Sequence, residues 1–246
     1  ACSTVSQGES IMETKPAVYS LSIGRMLALL VHYFAGYLYV YRIVATKITL
    51  AVQPGATILL PWVQLLIYVF TAGVAILLAW PVLRDSWMKF RRNTGANLKM
   101  SAYLIVVILA VNMLLSLLIG LLTQTGNSVN QEEIRNASTV LPLMTILSTC
   151  VFAPIIEETV FRAGAFSCLR SRIGFWAAAI ISSILFGSIH IVDSLLAGNL
   201  VDVSYLLVYA GIGMVLAYGY EKSSSCLVPG MVHAGNNIIS MLFMLL

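Results

Sequence analysis

Charge is what this chain has least of. Lys, Arg, Asp and Glu make up 10% of its 246 residues, against about 25% in a soluble globular domain. That is too little to cover a surface facing water, so a soluble globule is excluded and a bilayer is the natural solvent. Histidine is scarcer still, with three residues, His32, His190 and His233. The four cysteines, Cys2, Cys150, Cys168 and Cys226, follow no metal-binding spacing and read as free thiols, most of them buried. No H-E-x-x-H motif, no internal repeat and no low-complexity tract occurs. The net charge of +4 sits in loops rather than on a basic face, which gives no reason to expect a nucleic-acid partner. Cys2 has no apolar stretch ahead of it of the kind a signal peptide needs, and because the sequence starts at Ala1 a removed or trimmed upstream piece is expected.

Apolar residues fill the space that charge leaves. They make up 59% of the chain, and its mean hydropathy is +0.92. A membrane span needs about 20 such residues, and seven candidates can be drawn. They run from about Met26 to Tyr41, Ala56 to Leu83 (with a bend near Pro61), Ser101 to Thr123, from near Val140 onward, Ile173 to Ile191, Val203 to Tyr220 and Leu227 to Leu246. The fold class is therefore all-α, a polytopic transmembrane helix bundle of about seven spans. Residues 1–16 form a polar N-terminal segment, 17–139 the N-terminal transmembrane helices and 140–246 a helical core. Lys and Arg in short loops set orientation. Arg84, Lys89, Arg91, Arg92 and Lys99 place the connection after the second span in the cytoplasm, and Arg170 and Arg172 do the same for the fourth-to-fifth connection. The expectation is a multi-pass protein of the plasma membrane with its N-terminus cytoplasmic. Arg42 and Lys47 fit that arrangement worst.

Six of the seven spans contain no Asp, Glu, Lys or Arg, and the fourth holds Glu157, Glu158 and Arg162. Each costs about 2.5–3.5 kcal/mol at the centre of a membrane helix, so three together mark a functional site facing the bundle interior. A structural ion pair explains Glu158 and Arg162, which are four residues apart with the acid first. It leaves Glu157, about 100° around the helix, without a partner. His190 supplies one. If the fourth and fifth spans turn near Gly174, Glu157 and His190 both lie roughly 25 Å from the turn at about 1.5 Å per residue, so they share a depth. On the seventh span His233 and Asn237 share a helical face, with Asn236 a competitor. His32 stands on an aromatic stretch and reads as a packed residue.

Three motifs result: Glu157-Glu158-Thr159-Val160-Phe161-Arg162, Phe186-Gly187-Ser188-Ile189-His190 and His233-Ala234-Gly235-Asn236-Asn237. In this order, on three apolar helices, they resemble the CPBP family of CAAX prenyl proteases and bacteriocin-processing enzymes, also called Abi, over roughly Leu141 to Ser240. The resemblance implies an intramembrane endopeptidase whose catalytic positions are Glu157, Glu158, Arg162, His190, His233 and Asn237. It makes 140–246 a CPBP-like catalytic core. The implied substrate is a membrane-associated or lipidated peptide or protein tail, cleaved in CAAX-type or bacteriocin and signal-peptide processing or in immunity.

Two chemistries fit these residues. Without a cofactor, Glu157 is general base, His190 holds and polarises the water, and His233 and Asn237 donate to the oxyanion. With zinc, Glu157, His190 and His233 are the metal ligands and Glu158 is the base. The metal-free version is the slightly better fit, since no H-E-x-x-H is present. Partners are then the peptide substrate and membrane lipid. The alternative is a non-catalytic scaffold or regulator of a partner membrane protein such as a sensor kinase. A proton-coupled transporter is disfavoured by the missing repeats.

Overall fold

The computed structural model describes residues 20–245; the polar segment 1–16, with Cys2, lies outside them. Among the described residues there are helices and turns but no strand. We number the helices α1 (Ile23–Val52), α2 (Pro61–Arg92), α3 (Thr94–Thr123), α4 (Val129–Val140), α5 (Pro142–Arg170), α6 (Phe175–Ser188), α7 (Leu200–Ser223) and α8 (Leu227–Leu245). Six of them, α1, α2, α3, α5, α7 and α8, are long and apolar enough to cross a membrane. The stretch expected as a fifth full span is a shorter apolar helix, α6, of 14 residues.

Local chemistry sets the ends. Ser22 accepts a hydrogen bond from the Arg25 amide at the start of α1, and Ser128 accepts one from Gln131 at the start of α4. Pro61 and Pro142 occupy first-turn positions, where a missing N–H costs nothing. Gln124 and Ser224 close α3 and α7 in the left-handed region at φ 59 and φ 52.

α5 is the central element. Half of its most apolar window is buried, against 17–39% for the other five long helices. Every residue from Glu158 to Phe166 is buried. Two stretches of α5, Ser148–Phe152 and Glu158–Phe166, wind as π-helix, a geometry that clusters at functional sites. Phe161 meets Tyr33, Phe34 and Phe186 edge-on, and Phe166 meets Tyr220. The α6–α7 contact is closer than large side chains allow. A Cβ on Gly213 would sit 2.9 Å from the Ser183 backbone, so glycine sets how near the two helices lie.

Most of the polar segment 124–138, between the third and fourth predicted spans, is the helix α4. The seventh span starts inside the bundle rather than at its edge. Ser225 and Cys226 at the start of α8 are buried. The Ser225 hydroxyl donates to the Ser86 carbonyl at 2.9 Å, and the Cys226 thiol to the Glu158 carbonyl at 3.2 Å. Since α2 continues six residues past Ser86, α8 begins inside the bundle, and His233 reaches the depth of Glu158 within two turns.

Candidate active site

The motif residues occupy one place. His190 Nε2 and His233 Nε2 each lie 3.9 Å from Glu157 Oε2, and His233 Nδ1 lies 3.0 Å from Glu158 Oε1. Glu157, His190, His233 and Asn237 all face a cavity of about 1060 Å³ between α1, α3, α4, α5, α7 and α8. Glu158 and Arg162 stand behind it. Arg162 has no exposure and Glu158 2%; Arg162 Nε is 3.1 Å from Glu158 Oε2, close in distance but without the alignment of a hydrogen bond. The guanidinium also donates to the Gly213 carbonyl at 3.4 Å and lies 4.7 Å over the Phe186 ring. The sequence-based pairing of Glu158 with Arg162 therefore holds, with the carboxylate turning its second oxygen to His233.

His190 sits just past the end of α6, in a turn where its amide bonds the Gly187 carbonyl at 3.1 Å. Asn237 donates its amide to the Thr149 carbonyl at 2.8 Å, in the first π-helical stretch of α5, which leaves one N–H for the cavity. Asn236 bonds Asn237 Oδ1 at 3.2 Å and is buried. His32 stands apart as expected, held by the Tyr41 hydroxyl at 2.9 Å and the Thr71 carbonyl at 3.1 Å. Cys150, Cys168 and Cys226 are buried free thiols.

Three aromatic residues carry roles that sequence reasoning missed. Tyr33 of α1 is 2% exposed and lines the same cavity as Glu157. Phe186, a letter of the second motif, meets His190 and His233 edge-on at 5.1 and 5.5 Å, so it spaces the imidazoles while its face covers Arg162. Tyr209 of α7 stacks on His190. Tyr33 and Tyr209 lie outside the three motifs, and only the aromatic run at residues 33–41 gave a sign of either.

Glu157 Oε2 is buried and has no hydrogen-bond partner, so the space it shares with the two imidazoles calls for a polar occupant. A tetrahedral zinc with bonds of about 2.0–2.1 Å holds its donors about 3.3–3.4 Å apart. Both separations here are 3.9 Å. Among the described residues no set of three or more His, Cys, Asp or Glu is placed to hold a metal. At the spacing seen here, a water with contacts of about 2.8 Å would bridge these atoms at an angle of about 90°.

Residues 139–239 match the family model for type II CAAX prenyl endopeptidase, Rce1-like. The match covers less than half of the chain. It starts and ends within two residues of the stretch the three motifs mark out. YdiL of Bacillus subtilis (strain 168), provisionally named a membrane peptidase, is 33% identical over 106 residues, which are 43% of this chain and 39% of its own. An uncharacterized 24.3 kDa protein of Escherichia coli is 28% identical over 103 residues, 41% of this chain and 44% of its own. The matches thus cover less than half the length of these relatives. No solved structure matches the chain. With six helices long and apolar enough to cross a membrane, and its similarity to a membrane-peptidase family model, the chain is an integral, multi-pass membrane protein.

Proposed function

We propose that the protein is an intramembrane endopeptidase that hydrolyses a peptide bond in a membrane-associated peptide or lipidated protein tail. The carrying observation is the unpartnered Glu157 oxygen, 3.9 Å from Nε2 of both His190 and His233 at the wall of a peptide-sized cavity. The Rce1-like match over 139–239 supports CAAX-type cleavage as the form of the reaction.

The residues divide the work as follows. Glu157 takes a proton from a water held between it and the imidazoles, and the water oxygen bonds to the scissile carbonyl carbon. The resulting oxyanion accepts hydrogen bonds from the free Asn237 N–H and from His233 when that ring is protonated. Glu157 then returns its proton to the departing amine nitrogen as the C–N bond breaks, leaving a carboxylic acid and an amine, which become a carboxylate and an ammonium ion as the acid's proton passes to the amine, with Glu157 ionised again. Glu158 accepts from His233 Nδ1–H and so aims Nε2 at the cavity, while Arg162 holds Glu158 charged away from water. Of the serines near His190, Ser182 and Ser188 are spent on the helix carbonyls of Ala179 and Leu185, and Ser183 is buried against Gly213 of α7.

The test is cleavage of farnesylated and unmodified tail peptides by purified protein in lipid nanodiscs, with the products sequenced by mass spectrometry. Cleavage by the wild type and none by Glu157→Ala is the expected result. Equal cleavage by the two would remove Glu157 from the reaction. No cleavage of any peptide, with capture of a membrane partner that needs an intact cavity, would favour the regulator reading.

A further inference from the structure

A second polar network runs beside the site and reaches it from outside the three motifs. It starts at α4, the polar helix that lines the cavity with Asn130, Gln131, Glu133 and Arg135. The amide of Val129 donates to Asp202 Oδ1 at 2.8 Å, and Ser194 donates to Asp202 Oδ2. Asp202 is 4% exposed, so a buried carboxylate ties the first turn of α4 to the start of α7 with two donors. One residue earlier on α4, the Ser128 hydroxyl lies 2.7 Å from the Tyr209 hydroxyl. One residue later than Val129, Asn130 donates its amide to that hydroxyl at 3.2 Å. The Tyr209 ring in turn stacks on the His190 imidazole, with centroids 4.4 Å apart and planes 23° from parallel.

His190 needs such a neighbour. It lies in a turn beyond α6, where no helix backbone restricts its side chain, and its Nε2 makes only a 3.9 Å contact to Glu157. Phe186 touches the ring edge-on, which leaves the stacked face to set the ring plane. A phenol that could swing would let the imidazole swing. This phenol is pinned at its hydroxyl by two side chains of α4.

We propose that Tyr209 is a positioning residue for His190, and that the docking of α4, through Ser128 and Asn130, sets it. α4 then contributes no reacting group but governs how well the site is aligned, and whatever enters the cavity beneath α4 acts on His190 through the same contacts. Misalignment of about 1 Å is enough to cost about 10²-fold in rate. The kinetic half of this inference rests on the peptidase reading above; the structural half does not.

Diethylpyrocarbonate acylation, read at His190 and His233 by peptide mass spectrometry, tests the structural half with no need of substrate. In Tyr209→Ala the uncovered His190 should react at least about 5-fold faster while His233 is unchanged; in Ser128→Ala His190 should react about 2–3-fold faster. For the kinetic half, Tyr209→Phe and Ser128→Ala both remove the Ser128–Tyr209 contact, the first together with the Asn130 bond and the second together with the α4 cap. Each should lower kcat about 2–10-fold with KM within twofold, and the double variant should lose less than the product of the two singles. If Tyr209→Ala fails to fold, the Tyr209→Phe and Ser128→Ala pair carries the labelling comparison. An unchanged His190 rate in folded variants, or losses that add in the double variant, would overturn the proposal. If no peptide is ever cleaved, the peptidase reading fails and the labelling still decides this one.

Discussion

Arg162 offers the sharpest handle on stability, because every contact it makes is buried. Its side chain has no exposure. It lies 3.1 Å from Glu158 Oε2, donates to the Gly213 carbonyl of α7 and covers the face of Phe186. Arg162→Ala leaves Glu158, itself 2% exposed, as a buried carboxylate whose remaining support is His233 Nδ1 at 3.0 Å. Removing one partner of a buried pair costs about 3–5 kcal/mol. At about 2–4 °C per kcal/mol for a chain of this size, Tm should fall by about 6–20 °C. Fluorescence-detected size-exclusion chromatography after a temperature ramp in mild detergent reads this directly. The double variant Arg162→Met/Glu158→Gln removes both charges at similar volume and should recover most of the loss, since a buried pair often stabilises no more than an apolar replacement. An Arg162→Ala protein melting within 2 °C of wild type would refute the reasoning, and so would a double variant worse than the single.

Three further outcomes are expected. Gly213→Ala drives a methyl to 2.9 Å from the Ser183 backbone, so it should part α6 from α7 at a cost of about 1–3 kcal/mol; a Tm equal to wild type would contradict the close approach. Peptide cleavage should survive a zinc-selective chelator, because the 3.9 Å separations around Glu157 suit a bridging water; loss of activity restored by added Zn²⁺ would move Glu157, His190 and His233 into a coordination shell. With native cysteines removed, a cysteine at exposed Ser171 should label from the cytoplasmic side and one at buried Ser167 should not label at all; labelling of Ser171 only from outside would invert the topology.

The charges in a charge-poor chain made the site legible. Glu157, Glu158 and Arg162 stood out because lipid penalises them, and the match in depth between Glu157 and His190 survives as a 3.9 Å contact. The pairing of Glu158 with Arg162 followed from spacing alone, since four residues make about one turn in α- and π-helix alike. What stayed hidden depends on tertiary geometry. The π-helical winding of α5 has no sequence signal at the level of hydropathy. The buried start of α8 depends on Ser225 meeting a carbonyl from residue 86, a contact across 139 residues. α4 escaped the search for apolar spans because polar residues fill it, and the cavity beneath accommodates a polar helix there. Tyr33 and Tyr209 look like ordinary apolar-span aromatics until the fold sets Tyr33 on the cavity wall with Glu157 and stacks the Tyr209 ring on His190.

The central claim is that Glu157, which faces the cavity, is the base, and that Glu158, turned toward Arg162 and His233, is not. Single-turnover cleavage by Glu157→Gln and Glu158→Gln, each with its Tm measured alongside, separates the two. The account predicts that Glu157→Gln keeps a near-native Tm and loses about 10²–10⁴-fold in rate, the usual range for a general base, whereas Glu158→Gln loses Tm as well, because Arg162 is left buried without its counter-charge. A Glu157→Gln protein that cleaves at the wild-type rate, or a Glu158→Gln protein that is fully stable yet inactive, would contradict it.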